Sequence, residues 1–188
     1  SSNQYITVPD SDSLDRSADF SMALWIKPGV ATGGYETLIA KRNSVNPAQT
    51  NYEIFLKNTT RAISYYDGAA ERVGTFVPPT GARTHVVALV NSAAGEVNLY
   101  ANGVLRDTLT MSSSGPNSVP LTMGVAYSGA EQYSGSLDDV RVYNRVLSPP
   151  EIAALAVGNQ PSTGKGIVTL NGALDINGDL ILNGGTLD

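Results

Sequence analysis

Short runs in which apolar and polar residues alternate recur along most of this chain, and turn-forming residues separate them. Within residues 20–26 every even-numbered residue is apolar, which is the period of a strand with one buried face. The most apolar run spans residues 84–90, and Asn102 with Gly103 is a strong signal for a hairpin turn. Many short strands at this spacing indicate an all-β fold, an antiparallel jelly-roll sandwich of two sheets.

A single short helix is predicted near the end of this β-rich region. Ser148 is a suitable N-cap, Pro149 stands where the first N–H would be unpaired, and Glu151 completes a capping box. Leu147 and Ile152 are placed to pack against each other across the start of the helix. These features predict a well-defined first helical turn.

The composition narrows the range of partners and locations. The 188 residues include 17 acidic and 12 basic ones, and this net charge of −5 argues against nucleic acids and anionic membranes as partners. No apolar run approaches the roughly 20 residues of a membrane span, so we predict no membrane insertion. The chain has 0 cysteines, which excludes thiolate chemistry. A surface with few charges is common in secreted β proteins and predicts an extracellular or cell-surface location.

Several segments carry a resemblance to a known family. They stand in the order found in bacterial LamG-like jelly-roll domains of the concanavalin A-like lectin/glucanase superfamily: residues 5–10, 20–28, 84–86, 99–103 and 135–148. The last segment is the most specific. The resemblance covers about residues 1–157 and departs at Arg83, where the family usually has tryptophan.

The resemblance also predicts how the chain is divided. We expect residues 1–158 to form the jelly-roll domain, with the helix ending near Gly158, and residues 159–188 to form a linker and an extra β-rich tail. Similar domains carry one more strand before residues 4–8, and here only three residues precede that segment. The resemblance therefore implies that one sheet lacks its first strand and leaves an exposed apolar groove.

The tail has a sequence pattern of its own. Asn-Gly pairs recur at six-residue spacing and divide short apolar segments that are predicted to be strands. Five consecutive residues have the pattern of the absent strand: Leu180, Ile181, Leu182, Asn183 and Gly184. We hypothesise that they insert into the groove of their own domain or of another copy, which would build filaments by β-strand addition. The alternative is that the tail is the edge of a neighbouring module.

Asp138 is the candidate metal ligand. It has the same parity as Val140 and Val142, so its carboxylate is expected on the buried side, where it needs hydrogen-bond donors or a cation. In the glucanases of the superfamily a similar segment supplies a structural Ca²⁺ ligand, and the resemblance implies that role for Asp138. The alternative is a carboxylate satisfied by backbone N–H groups or by Arg141.

No catalytic residues are predicted. His85 is the only histidine and lies in the most apolar strand, so a packed structural role is expected. The resembled glucanases use closely spaced acids on one strand, because hydrolysis needs two carboxylates across the bond. In this sequence Glu53 and Glu71 are isolated acids, so we do not expect an enzyme.

Tyr65, Tyr127 and Tyr133 are candidate glycan contacts, since aromatic rings can stack on pyranose rings. Tyr65 and Tyr66 must face opposite ways, so only one of them can join a given site. The alternative is that these tyrosines pack on a sheet face. The leading hypothesis is a non-enzymatic extracellular structural or adhesive module that binds copies of itself, and a carbohydrate-binding module is the alternative.

Overall fold

The computed structural model describes residues 4–43, 50–112, 115–126, 129–158 and 175–177. The elements of these residues are, in order, β1 (Tyr5–Val8), β2 (Phe20–Pro28), β3 (Glu36–Arg42), β4 (Thr50–Leu56), β5 (Ile63–Tyr66), β6 (Glu71–Val73), β7 (Thr84–Asn91), β8 (Glu96–Ala101), β9 (Val104–Thr110), β10 (Leu121–Met123), β11 (Gly135–Tyr143), α1 (Pro149–Ala156) and β12 (Asp175–Asn177). A 3₁₀ turn at Asp12–Leu14 follows β1.

The strands form two antiparallel sheets. A seven-stranded sheet has the order β12-β1-β10-β3-β4-β5-β6, and a five-stranded sheet has the order β11-β2-β7-β8-β9. The predicted jelly-roll sandwich with one short helix is confirmed. Within the seven-stranded sheet, β3 to β6 are consecutive in the chain, so this part of the sheet is a simple meander.

The hydrophobic core lies between the two sheets. Met22 and Leu24 of β2 meet Ile54 and Leu56 of β4 in one cluster, and each of these side chains is 0% exposed. Because successive side chains of a strand point to opposite sides, the residues between them lie on the side that faces away from the core. We call that side the outer face of each sheet.

The predicted hairpin turn joins β8 to β9. Asn102 and Gly103 have φ angles of +52° and +78°, the left-handed conformations that a tight two-residue hairpin requires. A Cβ atom on Gly103 would lie 3.3 Å from the Cα atom of Ala153 in α1. Glycine therefore serves both the turn and the close approach of the helix.

Helix α1 covers part of the outer face of the five-stranded sheet. Leu147, Ile152 and Leu155 form a second buried cluster with Val87 and Leu89 of β7. The position of Leu147 and Ile152 in one cluster agrees with the predicted hydrophobic contact across the helix start. Among the described elements, none is a helix long and apolar enough to cross a membrane.

The ends of α1 follow the predicted pattern. The Glu151 carboxylate accepts hydrogen bonds from the N–H and the hydroxyl of Ser148, both at 2.8 Å. Hydrogen bonds from Arg145 and Ser148 lower the pKa of Glu151 to about 2. The helix ends at Ala156, and Gly158 follows with a φ of +83°, as expected for a C-terminal glycine.

Lys41, near the end of β3, lies in a cage of oxygen atoms although its side chain is 0% exposed. Its Nζ atom is 2.6 Å from a carboxylate oxygen of Asp10 and 2.9 Å from one of Asp15. It also donates to the backbone and side-chain oxygens of Asn117 at 3.0 and 2.8 Å and to the backbone oxygen of Val119 at 2.9 Å. The ammonium group therefore ties two loops to the seven-stranded sheet.

The described part of the tail pairs with β1. Ile6 lies opposite Ile176 in an antiparallel register, which makes β12 the edge strand of the seven-stranded sheet. The predicted donor residues 180–184 lie outside the described residues. Their insertion into a groove therefore stays a prediction.

Candidate functional site

Asp138 lies on the outer face of the five-stranded sheet, opposite Trp25, and its predicted orientation toward the core was wrong. The register of β11 against β2 shifts between Asp138 and Arg141, and Asp139 has a φ of +50°. This β-bulge adds one residue to the strand and reverses the alternation before it. Parity counted back from Val142 therefore assigns Asp138 to the wrong side.

The carboxylate of Asp138 is paired with Arg83. The Arg83 Nη2 atom donates to Oδ2 of Asp138 at 2.8 Å, and the guanidinium carbon lies 5.0 Å from the centroid of the Trp25 ring. Arg141, the predicted alternative partner, instead pairs with Asp139 at 2.6 Å. Arg83 therefore neutralises the carboxylate from the solvent side.

One carboxylate oxygen of Asp138 accepts from a guanidinium, and the other is buried and has no hydrogen-bond partner among the described residues. Calcium takes about six to eight oxygen ligands, and the Asp138 carboxylate already faces a guanidinium. Across the described ranges, no group of three or more His, Cys, Asp and Glu residues is placed to hold a metal. Calcium at Asp138 stays a prediction from the resemblance.

The three candidate tyrosines are not brought together. Tyr65 is 1% exposed and belongs to the core cluster, so its prediction as a glycan contact was wrong. Tyr133 is partly buried and packs against the same core, and burial raises the pKa of its phenol. Tyr127 lies outside the described residues.

Charged and aromatic side chains instead converge on the outer face of β3 to β6. Glu53 of β4 lies opposite Tyr66 of β5, and Tyr66 lies opposite Glu71 of β6. Their strand neighbours Ile54 and Tyr65 point into the core, so these three residues share the outer side. We call the following set the β3–β6 face: Tyr35, Thr37, Arg42, Glu53, Lys57, Tyr66, Glu71 and Glu131.

Glu53 is the centre of the β3–β6 face and is 0% exposed. One carboxylate oxygen accepts from the Thr37 hydroxyl at 2.6 Å, and the other accepts from Nη1 of Arg42 at 2.7 Å. A carboxylate oxygen of Glu131 accepts from the same Nη1 atom at 3.1 Å. One guanidinium group thus bridges two carboxylates.

Burial raises the pKa of Glu53 to about 7, although Arg42 and Thr37 both favour its ionised form. The nearby carboxylate of Glu131 adds to this rise. Glu131 itself has a φ of +53°, a conformation that costs a non-glycine residue about 1–3 kcal/mol. Perturbed acids and strained residues both concentrate at functional sites.

The same face presents two aromatic rings beside cations. The Arg42 guanidinium carbon lies 4.7 Å from the Tyr66 ring centroid, and Lys57 Nζ lies 4.6 Å from the Tyr35 ring centroid. Lys57 also donates to the Tyr35 hydroxyl at 2.8 Å and to Glu71 at 2.5 Å. Both tyrosines are partly exposed.

The sequence does not single out this face, because strand pairing rather than spacing brings its acids together. One signal does exist in the sequence. Ile63 and Tyr65 have the same parity in β5, so an inward Ile63 predicts an inward Tyr65 and an outward Tyr66. No comparable signal indicates Glu131, which reaches the face from a loop.

A family profile described as the concanavalin A-like lectin/glucanases superfamily matches residues 1–153. The chain belongs to this superfamily. The match confirms the resemblance that residues 135–148 carry most specifically. A search of curated protein sequences found no match to the chain.

Solved structures of this superfamily fold are similar to the chain. A native heptameric SAP-like pentraxin from Limulus polyphemus is 13% identical, with a TM-score of 0.65 over 94% of this chain and 92% of that one. Domain 4 of a GH43 extracellular arabinanase from Geobacillus stearothermophilus, in complex with arabinotriose, is 23% identical, with a TM-score of 0.61 over 80% and 72%. The CBM40 of a Ruminococcus gnavus sialidase, bound to α2,3-sialyllactose, is 15% identical, with a TM-score of 0.62 over 82% and 94%.

Proposed function

We propose that this chain is a non-enzymatic, extracellular carbohydrate-binding module and that its glycan lies on the β3–β6 face. The observation that carries the proposal is one sheet face that combines partly exposed tyrosine rings with a dense set of charged groups. Sugars offer apolar C–H faces and many hydroxyl groups, which aromatic rings and charged hydrogen-bonding groups match. Two of the similar structures are, by their descriptions, glycan complexes.

The residues of this face have different roles in the proposal. The Tyr66 ring serves as the stacking platform, and the guanidinium group of Arg42 lies against it. The Glu131 carboxylate is 19% exposed and accepts hydrogen bonds from sugar hydroxyls at the surface. Glu53 is a positioning residue, because its buried carboxylate fixes Arg42 without reaching the surface.

The same geometry supports binding over hydrolysis. A glycosidase needs two carboxyl groups on either side of the scissile bond, about 5–5.5 or 6.5–9.5 Å apart. Here the Arg42 guanidinium group fills the space between Glu53 and Glu131, since both carboxylates accept from one nitrogen atom. Glu53 is 0% exposed and has no access to a glycosidic oxygen.

Tyr66→Ala is expected to weaken glycan binding at least about tenfold, which corresponds to about 1.4 kcal/mol. The change removes the ring on which the sugar stacks. Binding is measured on an array of arabino-, xylo-, gluco- and sialyl-oligosaccharides, followed by calorimetry with the best probe. Tyr100→Ala is the matched control, since it removes another partly exposed tyrosine from the outer face of the other sheet. Equal affinities of both variants and the wild type would place the glycan elsewhere.

The pairing of β12 with β1 favours a second candidate function, self-association by β-strand addition. The register joins Tyr5 to Asn177 and Thr7 to Asp175, so a tail segment already adds a strand at this edge. Among the described residues the pairing joins three residue pairs, and exchange of an edge strand between copies is a low-cost route to association. In this reading the module is a structural subunit joined through its tail.

Deletion of residues 164–188 tests this candidate. Light scattering across a range of protein concentrations is expected to show association of the full chain and only monomer for the deleted chain. The control is the full-length variant Ile176→Pro, in which the edge strand loses one backbone N–H. A full chain that stays monomeric at every concentration contradicts the exchange.

A further inference from the structure

We infer that the β3–β6 face selects uncharged glycans and discriminates against sugars that carry a carboxylate. This inference rests on the proposed function and goes further by naming the ligand class. The observation behind it is that each of the two cations of the face, Arg42 and Lys57, is already held by carboxylates of the protein.

Arg42 is the residue that a carboxylated sugar would need. Arginine recognises a carboxylate through two parallel N–H···O bonds from its planar fork. In this structure Nη1 of Arg42 donates to Glu53 at 2.7 Å and to Glu131 at 3.1 Å, and the guanidinium carbon lies 4.7 Å from the Tyr66 ring centroid. A sugar carboxylate would have to displace Glu131 and then lie beside the buried carboxyl group of Glu53.

Lys57 does not supply a substitute. Its ammonium group donates to Glu71 at 2.5 Å and to the Tyr35 hydroxyl at 2.8 Å, and its Nζ atom lies over the Tyr35 ring. Glu71 therefore neutralises Lys57 at the surface. A carboxylated ligand gains little from a cation that is already paired and pays for the loss of that pair.

The charge of the whole face also disfavours carboxylated sugars. The carboxylates of Glu71 and Glu131 balance the two cations Arg42 and Lys57, and Glu53, whose pKa of about 7 leaves it partly ionised near neutral pH, adds further negative charge. The chain as a whole also has a net charge of −5. Such a surface repels anions during their approach and suppresses their binding.

Uncharged, hydroxyl-rich sugars match the same groups well. The side chains of Glu131 and Glu71 are 19% and 36% exposed. Their carboxylates accept hydrogen bonds from the hydroxyl groups of the sugar. Charge-assisted bonds of this kind are stronger than those between neutral groups. The Tyr66 ring supplies the apolar contact for a sugar face.

Calorimetry with matched pairs of probes tests the inference. Each pair consists of a neutral oligosaccharide and the same sugar with one acidic residue, such as lactose with sialyllactose and xylotriose with its glucuronyl derivative. The wild type is expected to bind the neutral member of its preferred pair at least about tenfold more tightly, a difference of about 1.4 kcal/mol. In Glu71→Gln/Glu131→Gln, two carboxylates are removed without loss of size, and this preference is expected to shrink to about threefold or less.

The outcomes separate the inference from the proposed function. Equal or tighter binding of the acidic members by the wild type overturns the inference and leaves the carbohydrate-binding function in place. Binding of no probe overturns both. Thermal denaturation of the double variant checks that it remains folded. Glu96→Gln is the single-site control for a general change of charge, because Glu96 is a partly exposed residue of β8.

Discussion

Lys41→Met is expected to lower the free energy of unfolding by about 3 kcal/mol, because removing one partner of a buried ion pair leaves an uncompensated charge. The Lys41 side chain is 0% exposed, and the carboxylates of Asp10 and Asp15 lie 2.6 and 2.9 Å from its Nζ atom. Methionine fills a similar space but carries no charge. We place the loss at the lower end of the usual range, since Asp10 is 34% exposed and keeps some contact with water.

Urea denaturation followed by circular dichroism measures this loss. Lys27→Met is the matched control, because Lys27 is an exposed lysine of β2 and its replacement should change stability by no more than about 0.5 kcal/mol. Adding Asp10→Asn to Lys41→Met removes one uncompensated carboxylate and is expected to restore part of the stability. Equal unfolding midpoints for the two methionine variants would contradict a structural role for the oxygen cage.

Glu53→Gln is expected to turn a nearly flat pH profile of stability into one that rises by about 3 kcal/mol between about pH 4 and 6.5, at 1.36 kcal/mol for each pKa unit. Burial raises the pKa of Glu53 from 4.5 to about 7, so the folded state binds the proton more tightly. The stability that Glu53 contributes therefore falls as the pH rises from about 4.5 to 7. Burial lowers the pKa of His85 from 6.5 to about 4, so stability from His85 rises between those values.

In the wild type the two groups act in opposite directions over almost the same range of pH. Glu53→Gln removes the falling contribution and leaves the rising one. The free energy of unfolding, measured by urea denaturation at half-unit steps from pH 4 to 8, reports the slope directly. The companion variant His85→Gln is expected to show the reverse slope, with stability that falls as the pH rises. Parallel profiles for wild type and Glu53→Gln would contradict the raised pKa of Glu53.

Local rules predict much of this fold from the sequence. The alternation in residues 20–26 predicts β2, Asn102 and Gly103 predict the hairpin, and Glu151 predicts the start of α1. Each of these features depends on neighbours within a few residues. The sequence therefore contains the information in a form that periodicity and capping rules can use.

The parts that could not be predicted depend on strand register. The bulge at Asp139 moves Asp138 to the outer face, and no residue type before it signals the shift. Lysine is usually a surface residue, so the sequence alone does not predict that Lys41 is buried. Only the folded loops that carry Asp10 and Asp15 make its burial favourable. Glu53 acquires its direct partners from the neighbouring strand β3 and, through Arg42, is linked to the loop that carries Glu131.

The meander of β3 to β6 has a consequence for how binding specificity can change over time. Apart from Glu131, every residue of the β3–β6 face lies between positions 35 and 71. A genetic exchange confined to that stretch can replace most of the recognition surface in one event. The outward-facing positions that reach the surface, such as Tyr66 and Glu71, can also vary one by one, because they lie outside the core cluster. The fold thus keeps its scaffold and its recognition surface in largely separate sets of residues, and the surface can diversify while the scaffold is retained.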